Sequence, residues 1–250
     1  MAAEHADAIV LRTVEFSETS LIVTLFTREW GKVQAIAKGG RRIKGPFESG
    51  LDILARLRVT FLRKTSDALD LLTEAKLIRR FRPSRENLAG LHAAYYLVEL
   101  LGLLTQDYDP YPLLYIQAGE ALDRFEAGHE VATTLLWFEL QMLGRLGHMP
   151  SLDQCVGCGE PLSLEMRKRI PFGHLDGGVL CGKCRGGRGQ VASVTTTALT
   201  AMQQLAQATE IADLPEPPEP KIGGEIRGLL NHYFSHLIGK KPRAQAFLET

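Results

Sequence analysis

The chain has 250 residues, enough for one large domain or two to three small ones. Its hydrophobic fraction of 45% and charged fraction of 23% belong to a folded globular protein and exclude a disordered one. The formal net charge of zero hides an asymmetry, because residues 1–82 carry 15 Lys/Arg against 10 Asp/Glu, whereas the remainder carries 14 against 19. A basic N-terminal part beside an acidic remainder is compatible with a local polyanion site, although charge alone leaves chance as an equal reading. The opening MAAEHADAIVLRT lacks a basic stretch followed by an apolar core, so no secretory signal is expected. The longest apolar run, Tyr95 to Leu104, contains Glu99 and is too short to span a bilayer. A cytoplasmic protein without a membrane partner is expected.

In chain order, residues 8–16, 20–27, 32–38, 51–63 and 69–78 are short, rich in β-branched residues and separated by turn formers. Five such strands predict a small antiparallel barrel or sandwich. In the fourth, Leu51, Ile53, Ala55, Leu57, Val59 and Phe61 alternate with residues including Arg56 and Arg58, which predicts a core face and a basic face. From Ser84 the character changes. Residues 85–105 are apolar almost all round and predict a central bundle helix starting near Pro83-Ser84. Helical spacing continues over 113–127 and 131–147, then over 195–209 with Thr195 to Thr197 as candidate caps, and over about 222–238. The fold class is therefore multidomain α+β: a domain over 1–82, a helical bundle over 83–150 and 190–250, and an inserted module over 151–189.

That module holds all four cysteines, Cys155, Cys158, Cys181 and Cys184, in the pattern C-x2-C-x22-C-x2-C. Two residues between paired cysteines let both thiolates reach one ion from a tight turn, and four thiolates satisfy tetrahedral zinc. Gly157, Gly159 and Gly182 can supply the unusual backbone angles of such turns, and Gly173, Gly177 and Gly178 suit a hairpin between the pairs. A closed four-cysteine shell leaves no position for water, so one structural Zn2+ is expected. His174 is a spare ligand, and a pair of redox CxxC sites is the competing reading.

A second feature is the run Lys38-Gly-Gly-Arg41-Arg42-Ile-Lys44-Gly-Pro. Cations on a glycine-rich connection suit phosphates, and Arg56 and Arg58 would add to the patch if their strand lies nearby. The alternative is a solvated basic loop. GxxxxGK[ST], HExxH, GxSxG and a deaminase H-x-E are all absent, so no catalytic residue is assigned and no enzyme is expected. Aromatic platforms for bases are not evident in the N-terminal part, where Phe16, Phe26, Phe47 and Phe61 read as core.

Taken together, AIVLRTVEFSETSLIVTLFTREWGKVQAIAKGGRR, the paired LDILARLRVTFLR and LDLLTEAKLI, AAYYLVELLGLL, FELQMLGRLGHMPSLDQCVGCG and the terminal LLNHYFSHLIGKKPRAQAFL resemble the RecO family of bacterial recombination mediator proteins. Pro242 and Ala244 depart from the apolar residue and serine of that family. The resemblance implies an N-terminal OB-fold, a helical bundle and a zinc module. It also implies binding of single- and double-stranded DNA, annealing of complementary strands, and partnership with RecR and the C-terminal tail of the single-strand binding protein SSB. Through these the chain would help RecA replace SSB, in association with the nucleoid. A zinc-bearing transcription- or RNA-associated protein using Lys183, Arg185 and Arg188, or a structural adaptor, is the alternative.

Overall fold

The computed structural model describes residues 3–41, 47, 50–64, 68–162 and 168–248. They form two compact units, Met1–Gly128 and His129–Thr250. The expected helices are thereby divided: the first two group with the N-terminal strands and the last three with the cysteine segment.

In the first unit, β1 (Ala3–Glu15), β2 (Leu21–Thr27), β3 (Gly31–Ala37), β4 (Arg56–Leu62) and β5 (Asp70–Arg79) assemble in the order β1-β2-β3-β5-β4. The sheet closes because β4 pairs back with β1. Every neighbouring pair is antiparallel except β3 with β5. The period-2 alternation sends Val23, Leu25, Val33, Ala35, Leu57, Val59 and Phe61 into one enclosed core. Burying each of the Val, Leu and Phe side chains stabilises the unit by about 1.5–3 kcal/mol relative to leaving it exposed. The expected fourth strand is corrected at its start: residues 51–55 are not extended, and Leu54 takes a left-handed φ of 73°. Leu51, Leu54 and Ala55 are nevertheless buried, so alternating apolarity there reflects a packed loop rather than a strand.

The helices α1 (Leu88–Leu104) and α2 (Pro112–Ala127) complete this unit. The α1 cap is Asn87 rather than Ser84, its side chain accepting from the Gly90 amide at 2.9 Å. The same side chain donates to the Phe125 carbonyl of α2 at 2.7 Å, tying the helix start to its neighbour. Gly90 allows this approach, since a Cβ there would lie 2.1 Å from the Phe125 oxygen. Asn87→Ala removes both the cap and the tie, and is expected to cost about 2 kcal/mol, the upper end for a lost cap. Urea unfolding should show a lower midpoint with an unchanged slope.

The second unit contains α3 (Val131–Arg145), β6 (Arg169–Gly173), β7 (Gly178–Val179), β8 (Val191–Thr195), α4 (Thr196–Gln207) and α5 (Pro220–Ile238). The strands form a small sheet in the order β7-β6-β8, which the sequence reading did not anticipate beyond a hairpin. Residues Thr133 to Leu143 of α3 are all buried. Glu139, fully buried among them, accepts from the Arg227 guanidinium on α5 at each carboxylate oxygen (2.6 and 2.7 Å). Thr195 caps α4 by accepting from the Ala198 amide, as its sequence position predicts. No helix among the described residues is long and apolar enough to cross a membrane.

Candidate metal centre and basic surface

The four cysteines come from two turns brought together by the β6–β7 hairpin. The first turn follows α3 and is pinned by the Cys155 amide donating to the Glu160 carbonyl and the Val156 amide donating to Val179. The second follows β7, just after which the Leu180 amide donates to the Pro171 carbonyl of β6. Of the three glycines expected to take unusual angles, Gly159 does so with φ 73°. Gly157 is needed for proximity instead, because a Cβ there would lie 2.9 Å from that of Cys184.

The four Sγ atoms lie within 4.8 Å of one another, with Cys158 and Cys181 at 3.9 Å. A tetrahedral ion with metal–sulfur bonds of about 2.3 Å places its sulfurs about 3.8 Å apart, so this donor set could hold one metal ion. Burial pushes the Cys155 thiol up, yet amides of Cys181 and Gly157 pointing at its sulfur at 3.2 and 3.4 Å prevail and bring it down to about 6. Cys184 moves the opposite way, pushed up by its contacts with the Cys181 and Cys158 sulfurs. Four thiolates this close repel one another unless a cation sits among them. His174 lies outside the thiol cluster. Its ring packs on Phe172 and against His232 at 5.4 Å between centroids, and burial, then His232 and His236, holds its pKa below the ordinary range.

The basic residues divide into two kinds. Arg56 is engaged with α2, its guanidinium 2.6 Å from Asp123, in a group that also joins Arg79 and Glu126. Arg58 is exposed and paired with Asp7 at 2.9 Å. The basic face expected on β4 is thus offset by carboxylates. Lys38, at the end of β3, is exposed and has no ion-pair partner among the described residues. Arg41 is exposed too; its amide donates to the Thr19 carbonyl, and its guanidinium reaches Ser17 at 3.4 Å and Glu15 at 3.1 Å. Arg42 and Lys44 lie outside the described residues. One feature was missed in sequence: Phe16, read as core, is 59% exposed in the turn that holds Arg41. Another is Arg63, whose guanidinium lies 4.4 Å from the Tyr108 ring centre and 5.3 Å from that of Trp30.

Two family models cover the chain: "Recombination protein O N terminal" matches residues 1–81 and "Recombination protein O C terminal" matches residues 85–246. Among curated proteins the chain is similar to the DNA repair protein RecO of Rhodopirellula baltica, at 42% identity over 96% of this chain and 97% of that one. It is also similar to the protein of that name from Myxococcus xanthus, at 34% identity over 97% and 95% of the two chains. A third, from Anaeromyxobacter sp. (strain K), is 31% identical over 96% and 94%.

Proposed function

Because the chain belongs to the RecO family of DNA repair proteins, we propose that it is a non-enzymatic recombination mediator. In this reading it binds single- and double-stranded DNA, anneals complementary strands and, with RecR, helps load RecA onto SSB-coated DNA. The observation that carries the reading is the pair of exposed cations, Lys38 and Arg41, on the glycine turn at one end of a closed five-stranded sheet. Cations held by backbone contacts on a small β-sheet suit a phosphate chain of any sequence, with Arg42, Lys44 and the partly offset Arg58 as further contacts. The strand order and the parallel β3–β5 pair support assignment of this sheet to the OB class, whose strands and loops recognise oligonucleotides in other proteins.

Neutralising phosphates on two strands lowers their repulsion, after which base pairing completes annealing without nucleotide hydrolysis. The SSB tail, acidic with an apolar end, would dock on the helical part, concentrating the mediator on coated DNA in the cytoplasmic nucleoid. Zn2+ at Cys155, Cys158, Cys181 and Cys184 would hold together two turns whose own apolar core is small among the described residues. The direct test mixes complementary oligonucleotides, bare and SSB-coated, with the purified full chain. Annealing should accelerate with protein and weaken steeply as salt rises, by about 0.7 logarithmic units of single-strand affinity per decade of salt for each phosphate contact. A chain that binds neither DNA nor the SSB tail peptide would overturn the proposal.

A further inference from the structure

The outer surface of the N-terminal sheet carries an apolar row that is partly exposed among the described residues. Val14 of β1 pairs with Ile22 of β2, Ile22 with Ile36 of β3, Ile36 with Leu71 of β5, and Leu71 with Leu62 of β4. Side chains on these strands alternate, and the core takes the residues adjacent to this row, such as Val23, Ala35, Ala37, Phe61 and Leu72. The row therefore crosses all five strands on the outside. Strands lie about 4.8 Å apart, so the row runs about 19 Å along the curved outside of the closed sheet. Val14 is 39% exposed, and the other four are half-buried. The opposite half of the same face is closed by the unit's own helices: Phe26 is fully buried, its ring 6.3 Å from that of Tyr115 on α2.

Cations border this row. Arg12 is two residues before Val14 and shares the outer face of β1 with the row, and Lys38 stands in the turn directly after β3. Both are exposed, and neither has an ion-pair partner among the described residues. At the end of β1, Phe16 projects from the turn whose Ser17 and Thr19 carbonyls hold Arg41. An exposed aromatic ring and an aliphatic row between cations match a polymer that offers flat apolar faces and phosphates together. Single-stranded DNA does so; a duplex presents its phosphates but keeps its base faces stacked inside.

We propose that Phe16 stacks on a base and that the Val14–Ile22–Ile36–Leu71 row supports its neighbours, giving this surface a preference for single strands over duplex. The inference rests on the DNA-binding reading above and assigns it a contact that does not depend on charge. Stacking contributes affinity without releasing counterions, so it sets the level of binding and not its salt dependence.

The test titrates an oligo(dT) probe and a duplex with the full chain and with Phe16→Ala. Loss of one stacked base should weaken oligo(dT) binding by about tenfold. The salt slope should be unchanged and duplex affinity should stay within about twofold. Phe16→Trp should retain oligo(dT) affinity and show indole emission quenched on binding. Normal oligo(dT) affinity in a folded Phe16→Ala chain, or equal losses for both probes, would overturn the inference. Normal DNA binding with weakened capture of an acidic peptide would likewise overturn it and give the surface to a protein partner. If the unmutated chain binds neither probe, the functional reading falls and this inference with it. If it binds with a steep salt dependence that Phe16→Ala leaves intact along with affinity, only this inference falls.

Discussion

Cys181→Ser should abolish stoichiometric metal binding and loosen the whole segment from Ser151 to Val191, while leaving the N-terminal unit folded. Cys181 is central to the cluster's hydrogen bonds as well as to its donor set: its amide donates to the Cys155 sulfur and its own sulfur accepts from the Cys184 amide. Among the described residues the core at the cysteines themselves is small, with Cys155, Leu180 and Cys181 buried and Leu162, Cys184 and Val191 packed around them. Structural zinc in peptides of this kind supplies about 10–16 kcal/mol at neutral pH, far more than three small buried side chains can replace. Because the ligands bind as thiolates, protons compete with the metal. Acidification should therefore promote release, and chelators should act faster at lower pH. Metal analysis, and hydrogen exchange resolved to residues 151–191, read both effects. Protein purified without chelators that contains no zinc, or a serine variant that retains it fully, would refute the assignment.

The parts of this fold that were legible in sequence are those governed by local period and chemistry. The CxxC pairs specify their own geometry, because two intervening residues and a close glycine leave few ways to arrange the sulfurs. The helices from α2 onward follow their apolar spacing, and Thr195 announces its cap. Two errors have a common physical cause. Leu51, Ile53 and Ala55 alternate like a strand, but Leu54 adopts φ 73° and the segment packs as a loop against Val10, whose backbone bonds Leu54 and Ala55. Ser84 has the right chemistry for a helix start, yet Asn87 wins because it also reaches the Phe125 carbonyl. In both cases a partner distant in sequence decides between local options of similar energy.

The basic surface was legible in composition and not in arrangement. Arg56 and Arg58 read as a free cationic stripe because their carboxylate partners, Asp123 and Asp7, lie 67 and 51 residues away in sequence. Phe16 was misread for the opposite reason: aromatic residues beside strands are usually core, and only the closed sheet reveals that position 16 falls beyond its rim. The apolar row from Val14 to Leu62 depends on register between strands, including a bulge between Val10 and Arg12, which no single-strand pattern encodes.

Reversing Lys38 and Arg41 together to glutamate should weaken single-stranded DNA binding by at least about 25-fold at roughly 0.1 M salt, since each lost phosphate contact is worth about fivefold there. The logarithmic salt slope should fall in magnitude by about 1.4, or about 0.7 for each contact. Annealing should fall with affinity, whereas metal content should persist, because neither residue lies in the unit that carries the cysteines. Arg41 already faces Glu15 at 3.1 Å, and both side chains are well exposed, at 38% and 72%. An ion pair so open to water contributes about 0–1 kcal/mol, so a phosphate can displace the carboxylate at little cost. Glu15→Gln should therefore act in the opposite direction and raise single-strand affinity by up to about fivefold, the factor that corresponds to 1 kcal/mol. The two variants together separate phosphate contact from general damage to the sheet, because a destabilised sheet would weaken binding in both. A folded Lys38→Glu/Arg41→Glu chain with unchanged affinity and slope would show that these cations face only solvent.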